Sequence, residues 1–133
     1  MKRFLLIALI FCSALMSCED EAASVDLNTD LFQAWTHAFE EQDDVNANRR
    51  IYRLSDSQSF APARFRSSYV FRADATCQYL FLHPADAHFM KEGYFTYDEE
   101  SRILEVFDAE DDQRVSSYTV IQISADRLVL ELR

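Results

Sequence analysis

The stretch RILEVFDAEDDQRVSSYTVIQISADRLVLEL, residues 102–132, decides the fold class of this chain. Three runs within it, at 102–108, 114–123 and 127–132, alternate side chains with a period of two, which is typical of β-strands with one buried face. Clusters rich in Asp and Ser separate the runs, and these residues favour turns through hydrogen bonds to their own backbone. The stretch therefore predicts three antiparallel strands joined by hairpins.

The same pattern continues towards the N-terminus. Further strands are predicted at 32–39, 49–54, 64–72, 76–82 and 91–97. Asn28-Thr29-Asp30 also suits the start of a short helix, so a helical turn before a strand from about Trp35 stays open. Residues 55–63 are predicted to be a long connection. No helical pattern of 10–15 residues separates the strands, which argues against parallel βαβ units. About eight strands predict an all-β, antiparallel up-and-down meander that closes into a barrel, since closure removes exposed edges.

Composition narrows the class of protein. A chain of 133 residues corresponds to one domain, and its 14% aromatic content excludes a disordered acidic tail. The net charge of −10 makes nucleic acid an unfavourable partner, because both carry negative charge. The side chains expected inside the barrel are bulky. They are predicted to be Phe65, Tyr69, Phe71, Tyr79, Phe81, Phe95 and Phe107.

The N-terminus has the pattern of an export signal. Lys2 and Arg3 precede an apolar run that is too short to cross a bilayer as an ordinary helix. The run ends in Leu15-Met16-Ser17-Cys18, which resembles the lipobox of bacterial lipoproteins. That resemblance implies cleavage before Cys18 and acylation of its sulfur, which would make the lipid bilayer a partner. We therefore expect a signal peptide over 1–17, a lipidated N-terminus and tether over 18–30, and the barrel domain over 31–133.

The expected location of the protein follows from the residues after Cys18, and the expected state of Cys77 follows from the other two cysteines. Glu19-Asp20-Glu21 is similar to the surface-export signal of lipoproteins in some gram-negative lineages, whereas in others an acidic residue here favours the inner membrane. We expect the outer membrane, at its periplasmic or cell-surface face, with a plain solvated spacer as the alternative. Cys12 would leave with the signal peptide and Cys18 would be acylated, so Cys77 is predicted to be a buried free thiol without a disulfide partner.

The mature chain resembles small lipocalin-like lipoproteins of gram-negative bacteria over residues 31–132. The resemblance rests, in order, on Trp35-Thr36-His37-Ala38-Phe39-Glu40-Glu41, Tyr52-Arg53-Leu54-Ser55, Phe60-Ala61-Pro62-Ala63-Arg64-Phe65-Arg66, Tyr69, Phe71, Asp74, His83-Pro84-Ala85-Asp86, Gly93-Tyr94 and Leu128-Val129-Leu130. The first piece is like a W-x-H-x-x-E-E opening, the second is like a Y-R-P-S segment with Leu in place of Pro, and the third is like an F-x-P-x-R-x-R segment. The last piece is like the final strand of the group. Ala75 replaces the usual glycine after Asp74, so that turn is expected to lack an easy positive φ. The resemblance implies an up-and-down barrel and no settled enzymatic activity.

One cluster of side chains is a candidate for structural or ligand contacts. It consists of Trp35, Glu40, Glu41, Arg53, Arg64 and Arg66. Strand alternation predicts that Arg64 and Arg66 share a face, and that only one of the two adjacent glutamates joins them. Arginine grips carboxylates through two parallel hydrogen bonds, so we expect Arg64 or Arg66 to pair with Glu40 or Glu41 at a barrel end near Trp35. The alternatives are a salt-bridge cluster that closes the barrel and a recognition site for an anion. Trp35 is expected in the core or stacked on an arginine.

Other chemistry has little support in the sequence. His37, His83 and His88 lack the spacing of a metal site, and the acidic run at 108–112 lacks the glycine and distal glutamate of a calcium loop. No nucleophile, phosphate-loop or zinc-protease motif occurs, so we predict no enzyme, no metal and no cofactor. Two functions remain. The barrel binds a small apolar or amphipathic ligand, or it is a filled barrel that serves as a structural or protein-interaction module of the envelope.

Overall fold

A computed structural model describes residues 27–42, 48–85 and 87–133. The predicted signal peptide, Cys18 and most of the tether lie outside these residues. The elements begin with helix α1 (Leu27–Leu31), strand β1 (Ala34–His37) and a 3₁₀ helix (Phe39–Glu41). The remaining strands are β2 (Arg49–Leu54), β3 (Ser68–Phe71), β4 (Thr76–Leu82), β5 (His88–Asp98), β6 (Ile103–Asp108), β7 (Arg114–Ile123) and β8 (Arg127–Leu132). The helical turn kept open before Trp35 is therefore present as α1.

The eight strands form a closed antiparallel barrel, which confirms the predicted fold class. Strands β3 to β8 are neighbours in chain order, as in a meander, and the β1–β2 hairpin lies between β8 and β3. Because β2 and β3 both run antiparallel to β1, the long connection at 55–67 returns from one end of the barrel to the other. It covers β1: Thr36 faces away from the interior yet is only 9% exposed, and its hydroxyl lies 2.8 Å from that of Ser55.

The two ends of the barrel are built differently. At the first, called the α1 end, Leu31 is fully buried and its carbonyl accepts a 3.0 Å hydrogen bond from the indole N–H of Trp35. The turns after β3, β5 and β7 lie at this end. At the second, called the 3₁₀ end, the 3₁₀ helix follows β1 and the connections after β4 and β6 lie nearby. The short helix thus closes one end and polar segments surround the other.

Large side chains fill the interior. The buried core comprises Leu31, Trp35, Tyr52, Tyr69, Phe71, Cys77, Tyr79, Phe95, Leu104, Val106, Tyr118, Val120, Leu128 and Leu130. Cys77 is free and buried, as predicted, and burial raises the pKa of its thiol to about 11. Among the predicted inward residues, Tyr69, Phe71, Tyr79 and Phe95 are confirmed and Phe81 packs against the core from a partly buried position.

Two predicted core residues were wrong. Phe65 is 69% exposed, because residues 64–67 are not a strand and the alternation of β3 begins only at Ser68. Phe107 faces outward, because the buried residues of β6 are Leu104, Val106 and Asp108, which lie on the opposite face of the strand. Its ring stacks instead on that of Tyr94, with centroids 5.0 Å apart. The sequence pattern was correct, but it was assigned to the wrong face of β6.

The backbone is sterically constrained at Gly93 and at Ala75. Gly93 lies inside the barrel, where an added Cβ would collide with the carbonyl oxygen of Phe107 and lie 3.3 Å from the sulfur of Cys77. Ala75 adopts a positive φ of 67°, so the turn after β3 uses the left-handed conformation despite the missing glycine. Asp74 supports that turn, since its carboxylate accepts hydrogen bonds from the backbone N–H and the hydroxyl of Thr76.

Candidate functional site

Arg66 and Glu40 form the predicted arginine–carboxylate pair at the 3₁₀ end. Arg66 is only 8% exposed, and its Nη1 donates a 2.9 Å hydrogen bond to one oxygen of Glu40 while Nη2 donates to the other. The two parallel bonds match the fork geometry that distinguishes arginine from lysine. These hydrogen bonds lower the pKa of Glu40 to about 2. The pairing is thus confirmed for these two members of the cluster.

The remaining contacts of Arg66 hold three segments together. Nη1 also donates 2.7 Å to the carbonyl of His37 at the end of β1, and Nη2 donates 2.8 Å to the carbonyl of Ala61 in the long connection. The guanidinium carbon lies 4.5 Å from the ring centroid of Phe39 and 5.3 Å from that of Phe60. Both terminal nitrogens of its guanidinium thus donate to the protein itself, whereas the buried Nε has no hydrogen-bond partner among the described residues. This geometry supports a structural role for Arg66.

Glu41 joins a different arginine on the outer surface. Arg53 donates hydrogen bonds to Glu41 from Nε at 3.0 Å and from Nη2 at 2.9 Å, and its Nη1 lies 3.4 Å from Asp126. Arg64 is exposed, with its guanidinium 5.8 Å from the ring centroid of Phe65. The prediction that Arg64 and Arg66 share a face is wrong, because residues 64–67 do not have the strand geometry that it required.

Trp35 lies apart from this pair. Its ring is fully buried and its N–H points to Leu31 at the α1 end, so it belongs to the core. The rings that Arg66 packs against are those of Phe39 and Phe60. The expectation that the pair lies near Trp35 is therefore corrected. Trp35 contacts Leu31 at the α1 end of β1, whereas Arg66 bonds to His37 at the other end of that strand.

A second cluster at the 3₁₀ end was missed from the sequence, and we call it the Arg50–tyrosine cluster. It consists of Arg50, Tyr52, Tyr69, Tyr118 and His37. Arg50 lies two residues before the fully buried Tyr52 and opposite the fully buried Leu130, so its side chain shares the inner face of β2. Its charge acts on all three tyrosines and on His37. Strand alternation along Arg50, Tyr52 and Leu54 was the signal that would have revealed it.

Hydroxyl groups of this cluster are linked to each other. The hydroxyls of Tyr69 and Tyr118 are 2.8 Å apart, and that of Tyr52 is 3.0 Å from Ser67. Burial raises the pKa values of Tyr52 and Tyr69 well above their usual range, so both are neutral donors at physiological pH. Burial also lowers the pKa of His37, and the nearby Arg50 adds to this effect. The cluster consists of one cation surrounded by neutral polar groups.

A third group of polar residues includes Asp108, the first residue of the acidic run at 108–112. Asp108 lies inside the barrel, where it pairs with Lys91 at 2.5 Å and accepts a hydrogen bond from the hydroxyl of Tyr79. The Lys91 hydrogen bond is the main cause of a strongly lowered Asp108 pKa. The acid and the lysine meet because β5 and β6 are neighbours, with Gly93 opposite Asp108.

The described residues contain neither a metal-binding cluster nor a membrane-spanning helix. Within 27–42, 48–85 and 87–133, no group of three or more His, Cys, Asp or Glu side chains is arranged to hold a metal ion. Over those ranges no helix has the length and apolar character needed to cross a bilayer. The ring of His83 accepts a 3.1 Å hydrogen bond from the N–H of Ala85, which caps the turn that follows β4.

The α1 end carries a small surface pocket. Its volume is about 190 Å³, and its walls are Phe32, Ala73, Ala75, Phe95 and Tyr97. Pockets that enclose a drug-sized molecule usually measure roughly 300–1,000 Å³. This pocket is therefore closer in size to a single ring than to a lipid.

The fold and these clusters define an eight-stranded antiparallel barrel with a filled interior, which is compatible with a lipocalin-like domain. Comparisons of the chain with protein families, with curated proteins and with solved structures found no match.

Proposed function

We propose that the chain is a lipid-anchored lipoprotein of the bacterial outer membrane, related to small lipocalin-like lipoproteins. In this proposal its barrel is a non-enzymatic structural or protein-interaction module, held off the bilayer by the acidic tether. The observation that carries the choice of module over lipid carrier is the filled interior. Trp35, Tyr52, Phe71 and Tyr118 are each at most 2% exposed and occupy the volume in which a carrier would hold its ligand.

The size of the barrel supports this choice. Eight strands enclose a space that is either just filled by side chains or holds one small ligand. The ring contacts run along the interior, from Tyr52 to Tyr69 at 5.9 Å, from Tyr69 to Phe71 at 5.4 Å and from Phe71 to Phe95 at 5.0 Å. Such a continuous stack of rings competes with any acyl chain for the same space.

A fluorescent fatty acid tests the filled barrel. We expect 11-dansylaminoundecanoic acid to show no saturable blue shift when the purified protein is titrated into it, because the buried rings of the described residues occupy the interior. Replacing Phe71 by Ala opens a cavity in the core and is the matched comparison. A saturable blue shift with the unmodified protein, displaced by unlabelled fatty acid, would refute the filled-barrel proposal.

Membrane fractionation tests the anchor. Support for it comes from the Leu15-Met16-Ser17-Cys18 pattern at the end of the apolar run. We expect Cys18→Ser to abolish acylation and release the protein from the membrane fraction, whereas Cys12→Ser leaves both unchanged. Globomycin-type inhibition should cause the unprocessed precursor to accumulate. If neither Cys18→Ser nor the inhibitor changes fractionation, the protein is not anchored through this cysteine.

A second candidate function is the binding of a small apolar molecule at the α1 end. The aromatic pocket of about 190 Å³ favours it. Native mass spectrometry of the protein purified from its own envelope would detect a retained molecule. We expect Ala73→Phe, which places a ring in the pocket, to abolish retention. A molecule still bound by that variant, or none bound by the unmodified protein, would exclude this site.

A further inference from the structure

Arg50 places a positive charge on the inner face of the barrel wall. It lies on the inner face of β2, between the fully buried Tyr52 on its own strand and the fully buried Leu130 across the pair with β8. Its side chain is partly buried. Removing a charge from water is costly unless a counter-charge compensates it, which is why buried arginines are almost always paired.

Two other cations that are largely buried at the 3₁₀ end, Lys91 and Arg66, both have a carboxylate partner. Lys91 pairs with Asp108 at 2.5 Å, and Arg66 pairs with Glu40 through two hydrogen bonds. In the part of the chain that the structure describes, Arg50 makes no ion pair with a carboxylate. Its polar neighbours are the neutral groups of the Arg50–tyrosine cluster. In a chain of net charge −10, it is unusual that an inner arginine such as Arg50 pairs with no carboxylate of the described residues.

The neighbouring groups are suited to an anion. Each tyrosine and serine hydroxyl can donate one hydrogen bond while accepting others. The hydroxyl of Tyr69 lies 2.8 Å from that of Tyr118 and 3.4 Å from that of Ser116 on β7, which is partly exposed. The chain of hydroxyls therefore leads from the buried tyrosines towards the 3₁₀ end and leaves donor capacity for a bound oxygen atom.

We propose that the Arg50–tyrosine cluster is a binding site for one small oxyanion group, a phosphate or a carboxylate, at the 3₁₀ end of the barrel. Arg50 supplies the counter-charge in a planar fork, and the hydroxyls of Tyr69, Tyr118 and Ser116 supply further donors. Because rings fill the barrel below the cluster, the anion enters alone or as a headgroup whose tail stays outside. The proposal is independent of the lipid anchor and of the module function.

Isothermal titration calorimetry with inorganic phosphate tests the site. The full chain is titrated in non-ionic detergent at constant ionic strength, so that general screening is the same throughout. We expect saturable binding that weakens at least about tenfold in Arg50→Gln, since a charge-assisted contact is removed. Arg49→Gln is the matched control: it is the preceding residue, faces outward and pairs with Glu131 at 2.9 Å. Equal weakening in both variants, or no binding by the unmodified protein, would overturn the proposal.

Two further arms keep the test decisive. Hexyl phosphate and hexanol separate the possible sources of the anion. Stronger binding of hexyl phosphate than of inorganic phosphate assigns a lipid headgroup, and equal binding of the two assigns free phosphate. Binding of both phosphates must be lost in Arg50→Gln. Binding of hexanol as strong as that of hexyl phosphate would overturn the proposal, because the protein would then recognise the alkyl chain instead of the charge. If Arg50→Gln does not fold, Tyr118→Phe serves, since it removes only a hydroxyl, and unchanged phosphate binding in that variant contradicts the site.

Discussion

Replacing Arg66 by Ala should destabilise the barrel more than any other single arginine replacement in the candidate cluster. Arg66 is 8% exposed and joins the 3₁₀ helix, the end of β1 and the long connection through Glu40, His37 and Ala61. The variant removes all of these bonds at once. It also leaves the two backbone carbonyls without their charged donor.

The magnitude follows from the contacts. Glu40 is 45% exposed, so water can replace its partner, and the ion pair contributes no more than about 1 kcal/mol. The two bonds to backbone carbonyls contribute about 1 kcal/mol net. Each cation–π contact, with Phe39 and with Phe60, contributes about 0.5 kcal/mol or more. We therefore expect Arg66→Ala to lower the free energy of unfolding by about 3 kcal/mol, within a range of about 2–4 kcal/mol.

Urea unfolding followed by the fluorescence of Trp35 measures this change, because Trp35 is the only tryptophan and is fully buried. Arg64→Ala is the control and should cost under about 1 kcal/mol, since Arg64 is exposed. Arg66→Lys keeps the charge but loses the fork, so it should fall between the two. Equal effects of Arg64→Ala and Arg66→Ala would refute the structural role.

The pH dependence of the Arg66 effect has a definite sign. Hydrogen bonds from Arg66 lower the pKa of Glu40 from 4.5 to about 2 in the folded state. The pair therefore contributes fully above pH 4.5, and its contribution is lost as the pH falls towards 2. The difference between the unmodified protein and Arg66→Ala should stay constant from neutral pH down to 4.5 and shrink below it.

Four further changes give distinct results. Gly93→Ala should destabilise by about 3 kcal/mol in urea unfolding, because the added Cβ collides with the backbone of the next strand. Ala75→Gly should stabilise by about 1 kcal/mol, because glycine adopts the φ of 67° without steric cost. Burial lowers the pKa of His37 below 6.5, so protonation favours the unfolded state. The free energy of unfolding should therefore fall as the pH drops below 6.5. This loss should disappear in His37→Gln and persist in His83→Gln. Cys77, whose buried thiol has its pKa raised to about 11, should react with a disulfide reagent at pH 8 only at the rate of unfolding.

Strand positions were predictable because alternation is a local property. In β4, β6, β7 and β8 the predicted and observed strands agree to within one residue. That Cys77 is free was expected because the other two cysteines were assigned to the signal peptide and to acylation, and its burial agrees with its place in β4. Turns followed from Asp and Ser for the same local reason: Asp98 accepts a hydrogen bond from the N–H of Glu100 within its own turn.

The order of strands around the barrel depends on distant pairing. Alternation along β1 is the same whether its neighbours are β2 and β8 or β2 and β3. The structure pairs Thr36 with Ser68 of β3, which makes the connection at 55–67 cross the barrel. That crossing takes residues 64–67 out of strand geometry. Arg66 therefore turns inward and Phe65 outward, which reverses the predicted pattern.

The residue types of the candidate site were predictable, but their partners were not. An arginine–carboxylate pair followed from the chemistry of both groups, and the adjacent glutamates were expected to face apart. Which arginine met which glutamate depended on where the 3₁₀ helix and the long connection came together. Lys91 and Asp108 lie on consecutive strands, and they meet because the register of the β5–β6 hairpin places Gly93 opposite Asp108.

The sequence alone determined an all-β chain of eight strands with an aromatic core, because a period of two and the burial of rings need no knowledge of distant contacts. The tertiary structure decided which polar residues share that interior. Strand alternation sends Arg49 and Arg50 to opposite faces, and the pairing of β2 with β8 makes the face of Arg50 the inner one, while Arg49 faces outward to Glu131. The physical reason is that alternation is a local property, whereas which face is turned away from water depends on the pairing of distant strands.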